Sequence, residues 1–243
     1  MFALGEDEMN KKVLHFMSIL GILLLTASFA VATVSAFPED VIREKIFVTY
    51  YEEPIGTPGT DSYNVYAYSG IHWPSGAFVT YSVNTKSAPA GAISAVKAAF
   101  ETWDSQIGDK LFSDNVQQAS SKLVGNRFDG KNVVSWGRLG SGIIAQTTVW
   151  YNTRTHEIVE FGMVFSTSFR WGIDADGEGT AYYLTNAFDV QNIATHEAGH
   201  TLMLDDLYTD ETNALTMYGY GGFGETYAIS LGAGDKSGIN AIY

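Results

Sequence analysis

The sequence lacks cysteine entirely, with none among its 243 residues. That absence excludes disulfide bonds, thiolate metal ligands and a cysteine nucleophile. Proline is scarce, at 5 residues, whereas 25 glycines indicate many turns. Because hydrophobic residues make up 46% of the chain and charged residues only 17%, we expect a packed globular core and not a disordered polypeptide.

Positive charge is the next thing in short supply. The chain has 14 lysines and arginines against 27 aspartates and glutamates, for a net charge of −13. Nucleic-acid binding needs a basic surface, and the sequence shows none, so we expect no nucleic-acid partner. The acidic excess indicates a solvated acidic surface and is compatible with cation binding.

A long hydrophobic run stands near the N-terminus. Lys11 and Lys12 precede the apolar residues 13–32, and the small-residue motif Val34-Ser35-Ala36 follows. This order predicts a signal peptide over residues 1–36, cleaved after Ala36, and therefore a secreted, extracellular protein. An uncleaved membrane anchor is the alternative, because the run approaches the length that spans a bilayer. No other stretch is long enough to span, so we expect no further membrane contact.

The remaining chain divides by composition. Residues 37–70 are polar, rich in tyrosine and interrupted by Pro54 and Pro58, which predicts an extension or pro-segment with little regular structure. Residues 71–243 have the apolar patterning of one packed domain. Strands are predicted at 78–83, 131–136, 144–151 and 157–165, and helices at about 89–103, 187–204 and 236–242. One strand, one helix, several strands and then helices predict an α+β domain with one mixed sheet.

The residues 195–200 read Thr-His-Glu-Ala-Gly-His. On a helix, His196 and His200 lie one turn apart on the same face, so two imidazoles can bind one Zn²⁺. Glu197 lies beside them and can take a proton from a water molecule as a general base. Asn186 is the predicted N-cap of this helix. The spacing therefore predicts a catalytic zinc site.

A catalytic zinc takes three protein ligands and keeps one position open. Asp206, six residues after His200, is the predicted third ligand, and its neighbour Asp205 is a weaker candidate. Glu225 is the alternative, as in a zinc peptidase that draws its third ligand from a more distant part of the chain.

These residues resemble the metzincin metallopeptidases, and within them the matrixin-like group. The family pattern is His-Glu-x-x-His-x-x-Gly-x-x-His/Asp, and Asp206 stands at its last position. Thr216-Met217-Tyr218 resembles the family's Met-turn, in which Met217 would form the floor beneath the metal. Over residues 71–243 the resemblance implies a metzincin-like catalytic domain. Its twisted, mostly parallel mixed sheet would carry two long helices, one bearing the zinc motif, and a short C-terminal helix.

The sequence departs from the family pattern at two places. Met203 stands where the family has a glycine that turns the chain toward the third ligand, and a non-glycine residue there costs on the order of 1 kcal/mol. Tyr218 and Tyr220 flank the position of a tyrosine ligand found in some metzincins, and neither aligns with it. The absence of cysteine also excludes latency in which a thiolate blocks the zinc.

The sequence thus predicts a secreted zinc endopeptidase, expected as a monomer, that cleaves a protein or peptide substrate. The substrate would add a strand along residues 143–148, and residues 207–225 would form a pocket for bulky apolar groups. A non-catalytic secreted binding module on the same fold is the alternative from another class. The intact Glu197 argues against that alternative, since a binder needs no base.

A second cation site is predicted in the loop before the zinc helix. Asp174, Asp176 and Glu178 alternate with small and turn residues, as in loops that bind Ca²⁺, and matrixin-like domains use structural calcium in this region. A solvated turn is the alternative, because the full calcium-loop pattern is incomplete.

Overall fold

The computed structural model describes residues 41–53, 61–175, 177–179 and 181–243. The predicted signal peptide, residues 1–36, lies outside the described residues. Within the part described, no helix is both long enough and apolar enough to cross a membrane.

A seven-stranded sheet forms the framework. Its strands are β1 (Ile42–Tyr51), β2 (Tyr81–Val83), β3 (Gln117–Gln118), β4 (Asn132–Gly137), β5 (Ile143–Asn152), β6 (Glu157–Ser166) and β9 (Tyr220–Gly221), and β7 (Trp171–Gly172) and β8 (Phe188–Asp189) form a separate two-stranded sheet. The order in the large sheet is β3-β2-β4-β6-β5-β1-β9. Neighbouring strands run parallel except at β5, which is antiparallel to both β6 and β1. The predicted α+β class with a mostly parallel mixed sheet is therefore confirmed.

Three α-helices are described: α1 (Ala92–Asp104), α2 (Val190–His200) and α3 (Ala233–Ile242). In α1 the residues Val96, Phe100 and Trp103 recur at helical spacing and are at most 1% exposed, as their pattern predicts. The indole of Trp103 donates a hydrogen bond to the carbonyl of Thr195 at 2.8 Å. The buried face of α1 therefore fixes the position of α2.

Helix α2 is shorter than the sequence indicates. Asp189 caps it, accepting a hydrogen bond from the backbone N–H of Asn192 at 2.7 Å, so the predicted cap at Asn186 is wrong. Phe188, which the apolar pattern assigns to the helix, belongs to β8, and the helix follows that strand directly. A cap three residues later is compatible with the same periodicity, which is why the pattern does not fix the boundary.

Strand β1 contradicts the prediction of little regular structure in residues 37–70. Its ten residues pair antiparallel with β5 along almost its whole length, and its end pairs parallel with β9. Phe47 and Thr49 are buried, whereas Ile46 is 51% exposed. The β-branched and aromatic residues of 46–51 carry a strand signal that the prolines and glycines further along the segment mask in the overall composition.

Candidate metal centre

The positions of the two histidines depend on how helix α2 packs into the core. Ile193, Ala194 and Ala198 are at most 2% exposed and pack into the core. The helix ends at His200, and Met203 then adopts a left-handed conformation with φ of 63°. Met203 thus makes the turn without a glycine, the residue that the metzincin pattern has at this position. The turn brings Asp206 back to the helix.

Three side-chain atoms converge there: Nε2 of His196, Nε2 of His200 and Oδ1 of Asp206. The two nitrogens are 3.0 Å apart, and each is 3.3 Å from the carboxylate oxygen. The imidazoles are almost fully buried, and the Asp206 side chain is 10% exposed. Among the described residues, this is the group of histidines and carboxylates whose spacing suits a metal ion.

The hydrogen bonds behind the rings decide which way their lone pairs face. Nδ1 of His196 lies 2.7 Å from the carbonyl of Thr216, and Nδ1 of His200 lies 2.8 Å from the carbonyl of Leu204. A carbonyl can only accept, so each Nδ1 carries the hydrogen and each neutral ring presents a lone pair at Nε2. Both nitrogens and the carboxylate are then acceptors facing one point, which a cation satisfies.

The charges of the site agree with that reading. Burial alone would lower the pKa of His196, but the carboxylates of Asp206 and Glu197 and the carbonyl of Thr216 together outweigh burial and raise the pKa to about 9. Burial alone would raise the pKa of Asp206, but the neighbouring imidazoles, when protonated, hold that pKa well below its usual range. Oδ1 of Asp206 is buried and, within the part of the chain that the structure describes, accepts no hydrogen bond. The pocket therefore calls for one positive charge, supplied by a proton or by a metal ion.

Met217 lies under the helix that carries the histidines. A β-carbon built on Gly199 would lie 2.3 Å from Sδ of Met217 and 2.7 Å from the Trp103 ring. Only a glycine permits this close packing between the helix and the turn. Met217 therefore packs against the helix at Gly199 and does not belong to the converging set.

The turn around Met217 is itself anchored by α3. The carboxylate of Asp235 accepts hydrogen bonds from the backbone N–H groups of Thr216 at 2.8 Å, Met217 at 3.2 Å and Gly232 at 2.9 Å. Asp235 is 1% exposed. Because Thr216 also holds His196 through its carbonyl, the carboxylate of α3 acts on the position of a candidate ligand.

Glu197 is fully buried between α2 and the sheet. Its Oε1 accepts a hydrogen bond from the hydroxyl of Thr49 at 2.6 Å, and its Oε2 accepts one from Thr147 at 2.5 Å. Thr147 belongs to β5 and Thr49 to β1. Both oxygens of the candidate base are thus engaged by threonines of the two neighbouring strands.

The other candidate ligands point elsewhere. Asp205 forms an ion pair with Lys45, and Glu225 accepts a hydrogen bond from the backbone N–H of Gly222 at 2.7 Å. Glu225 does line the cleft beside His196, and burial raises its pKa. Of the three carboxylates considered from the sequence, Asp206 is the one that the structure brings to the histidines.

The cleft beside His196 is only partly as predicted. Aromatic and apolar residues from the 207–225 region line it, including Leu215, Tyr218 and Tyr220. Carboxylates of Glu52, Glu53 and Glu225 line it as well, so its surface is not uniformly apolar.

The predicted calcium loop is described in part. Asp176 lies outside the described residues. Oδ1 of Asp174 accepts a hydrogen bond from the Tyr183 hydroxyl, and Glu178 accepts one from the Ser230 hydroxyl at 2.7 Å. These two carboxylates are thus bound to different parts of the chain, and calcium binding stays a prediction.

Sequence reasoning missed the contribution of β1 to this site. Lys45, Phe47 and Thr49 contact Asp205, His200 and Glu197, respectively. Their alternation at every second position is the signal that could have shown them to share one face of a strand.

Neither the models of known protein families nor the curated proteins contain a match to this chain.

Proposed function

We propose that the protein is a secreted zinc-dependent endopeptidase of the matrixin-like metzincin type. The observation that carries the proposal is the convergence of His196, His200 and Asp206, with both Nδ1 atoms occupied by backbone carbonyls. A tetrahedral zinc with ligand bonds of ~2.0–2.1 Å requires donor atoms roughly 3.3 Å apart. The observed separations of 3.0, 3.3 and 3.3 Å fit that requirement.

Zinc bound by these residues would supply a Lewis acid for the scissile carbonyl and lower the pKa of water. Asp206 and the two histidines hold the ion, and Asp206 reduces its net charge. Glu197 takes the proton from water and delivers it to the leaving amine. Thr147 orients the Glu197 carboxylate through its hydroxyl. Secretion is proposed from the N-terminal sequence alone, by the basic pair and apolar run that precede Ala36.

A binding module without turnover is the second candidate. One observation favours it: the edge of β5 where a peptide substrate was expected is already paired with β1. Against it stands the buried carboxylate of Glu197 on the same helix as both histidines, since binding alone does not require a base there.

Metal content and cleavage together test the proposal. Protein purified with zinc should contain one zinc per chain and should cleave denatured casein until a chelator is added. Glu197→Gln should keep the zinc and lose about 10²–10⁴-fold in cleavage rate, the usual contribution of general acid–base catalysis. Glu225→Gln is the matched control and should keep the zinc. Metal-free protein, or equal cleavage by Glu197→Gln, would overturn the assignment.

A further inference from the structure

Strand β1 takes the place that an extended peptide would take in the proposed peptidase. It runs antiparallel to β5, with Phe47 opposite Thr147 and Thr49 opposite Ala145. At its end it runs parallel to β9, with Tyr50 opposite Tyr220. A peptide that binds by strand addition needs the same free hydrogen-bonding edge of β5. The edge cannot serve β1 and a substrate at once.

The side chains on the inner face of β1 cover the metal centre. The ring of Phe47 stacks on the imidazole of His200, with centroids 4.2 Å apart and planes 10° from parallel. Two residues on, the Thr49 hydroxyl donates to Oε1 of Glu197 at 2.6 Å. Two residues before Phe47, Lys45 pairs with Asp205 and donates to the Ser69 hydroxyl at 2.8 Å. Three alternate residues of β1, Lys45, Phe47 and Thr49, therefore contact the zinc motif or a residue beside it.

These contacts bear on the reaction. The Thr49 hydroxyl occupies one acceptor position of Oε1 of the candidate base, so it competes with a water molecule for that oxygen. Phe47 is 4% exposed and covers one face of a ligand ring, so the strand keeps solvent and substrate from that side. Loss of β1 would free the β5 edge, the His200 ring and Glu197 together.

We infer that β1 is an intramolecular occupant of the peptide cleft, so that most molecules are latent and a peptide enters only the fraction of molecules from which β1 has withdrawn. The inference rests on the proposed peptidase function. Residues 42–51 then inhibit the site. A cysteine thiolate cannot do so in this chain, because it contains no cysteine. The strand is joined to the sheet by backbone pairing with β5 and, at its end, with β9, and its opening while the rest stays folded is a sub-global event that hydrogen exchange can measure.

The test compares variants of the full chain that differ in one face of β1. Phe47→Ala combined with Thr49→Val removes two contacts with the site, and Ile46→Ala removes a side chain that is 51% exposed on the same strand. Because the competent fraction of molecules sets the apparent affinity, the double variant should raise kcat/KM on a generic peptide about tenfold or more. Ile46→Ala should leave it unchanged. Zinc content should stay equal in all three proteins.

A second arm adds the occupant back. A synthetic peptide with the sequence of residues 42–51 should inhibit the double variant, and a scrambled peptide of the same composition should not. If wild type and double variant cleave equally, bind zinc and lose activity with Glu197→Gln, and the peptide does not inhibit, latency is wrong but the peptidase stands. If no variant binds zinc or cleaves, the proposed function is wrong and latency falls with it.

Native-state hydrogen exchange of the wild type decides the matter even if the double variant does not fold. The amides of β1 should exchange together, and faster than those of the central strand β6, because β1 opens while the rest stays folded. Protection of β1 equal to that of β6 would show that the strand leaves only on global unfolding, and would overturn the inference.

Discussion

Helix α2 and strand β1 both reach the candidate metal centre, but the fold holds them in different ways. Helix α2 is capped by Asp189, accepts a hydrogen bond from the indole of Trp103 and packs at Gly199 against Met217. Strand β1 is held by backbone pairing with its neighbours and by three side-chain contacts to the site. The donor set is therefore fixed by a capped and packed helix, whereas its cover is a strand bound by backbone pairing and a few side-chain contacts.

The largest effect is expected at the donor set. Asp206→Ala should weaken zinc binding by more than about 100-fold, since even residues behind the ligands are worth 10–100-fold. The affinity is measured by competition with a chromophoric chelator. Asp205→Ala is the control, because that carboxylate pairs with Lys45 and should leave the affinity within a few fold. Equal losses of affinity in both variants would show that Asp206 is not a zinc ligand.

Next comes the packing under the helix. Gly199→Ala should destabilise the protein by about 1–3 kcal/mol, although alanine favours helices, because its β-carbon has no room beside Met217 and Trp103. Urea denaturation measures the change. Gly108→Ala, where no atom lies within 4 Å of the added carbon, should be close to neutral. A neutral Gly199→Ala would mean that the turn does not pack against α2.

The anchor from α3 should matter to a similar or smaller degree. Asp235→Asn replaces an oxygen that accepts backbone hydrogen bonds by an amide that donates, which should cost about 1–3 kcal/mol in the free energy of unfolding. Because the anchored turn also holds His196, zinc affinity should fall with stability. Exposed Asp109→Asn serves as the control in both measurements. Unchanged zinc affinity would show that the anchored turn does not determine the position of His196.

The pH dependence of zinc binding follows from the charge that the pocket requires. In metal-free protein the pKa of His196 is about 9, so at pH 7.5 that ring holds a proton that zinc must displace. Zinc affinity should therefore rise with pH, by up to about tenfold per unit, and level off above pH 9. Titration calorimetry in buffers of different ionisation enthalpy should show proton release at pH 7.5. No release would mean that the ring is already neutral.

The same shift sets the sign of its effect on folding. The folded pKa of His196 lies above its ordinary value of 6.5, so the stabilisation is fully present below pH 6.5 and is lost as the pH rises through about 9. Metal-free protein should thus lose stability over that window, and zinc-loaded protein should not.

The smallest effect is expected on the side of the cover. Lys45→Ala should change the free energy of unfolding by less than about 1 kcal/mol, because the Lys45–Asp205 pair is about one-third exposed and screened by solvent. Zinc content should be unchanged. Lys122→Ala, on an exposed turn, is the control in the same denaturation series. A loss of zinc in Lys45→Ala would show that β1 contributes to metal binding and does not merely cover the metal centre.

Much of the fold could be predicted from periodic patterns. Helix α1 and the strands β4, β5 and β6 lie within a few residues of their predicted positions, because long buried elements carry a strong apolar period. The donor set was predicted as well, since the spacing from His196 to Asp206 depends on one helix and the turn that follows it. Local order along the chain was sufficient there.

The features that were missed depend on contacts across the chain. Thr49 and Glu197 are separated by 148 positions, and no local pattern indicates that a threonine hydroxyl will meet that carboxylate. Residues 42–51 carry a local strand signal, but the composition of residues 37–70 as a whole indicates irregular structure, because Pro54 and Pro58 lie beyond the end of β1. The position of Glu225, close to the cleft but outside the donor set, likewise depends on tertiary packing.

X-ray absorption at the zinc edge on purified, zinc-loaded protein tests the central claim most directly. The account predicts one zinc per chain with two imidazole nitrogens and one carboxylate oxygen at ~2.0–2.1 Å, and loss of the oxygen contribution in Asp206→Ala. Protein that takes up no zinc, or a spectrum without imidazole ligands, would contradict it.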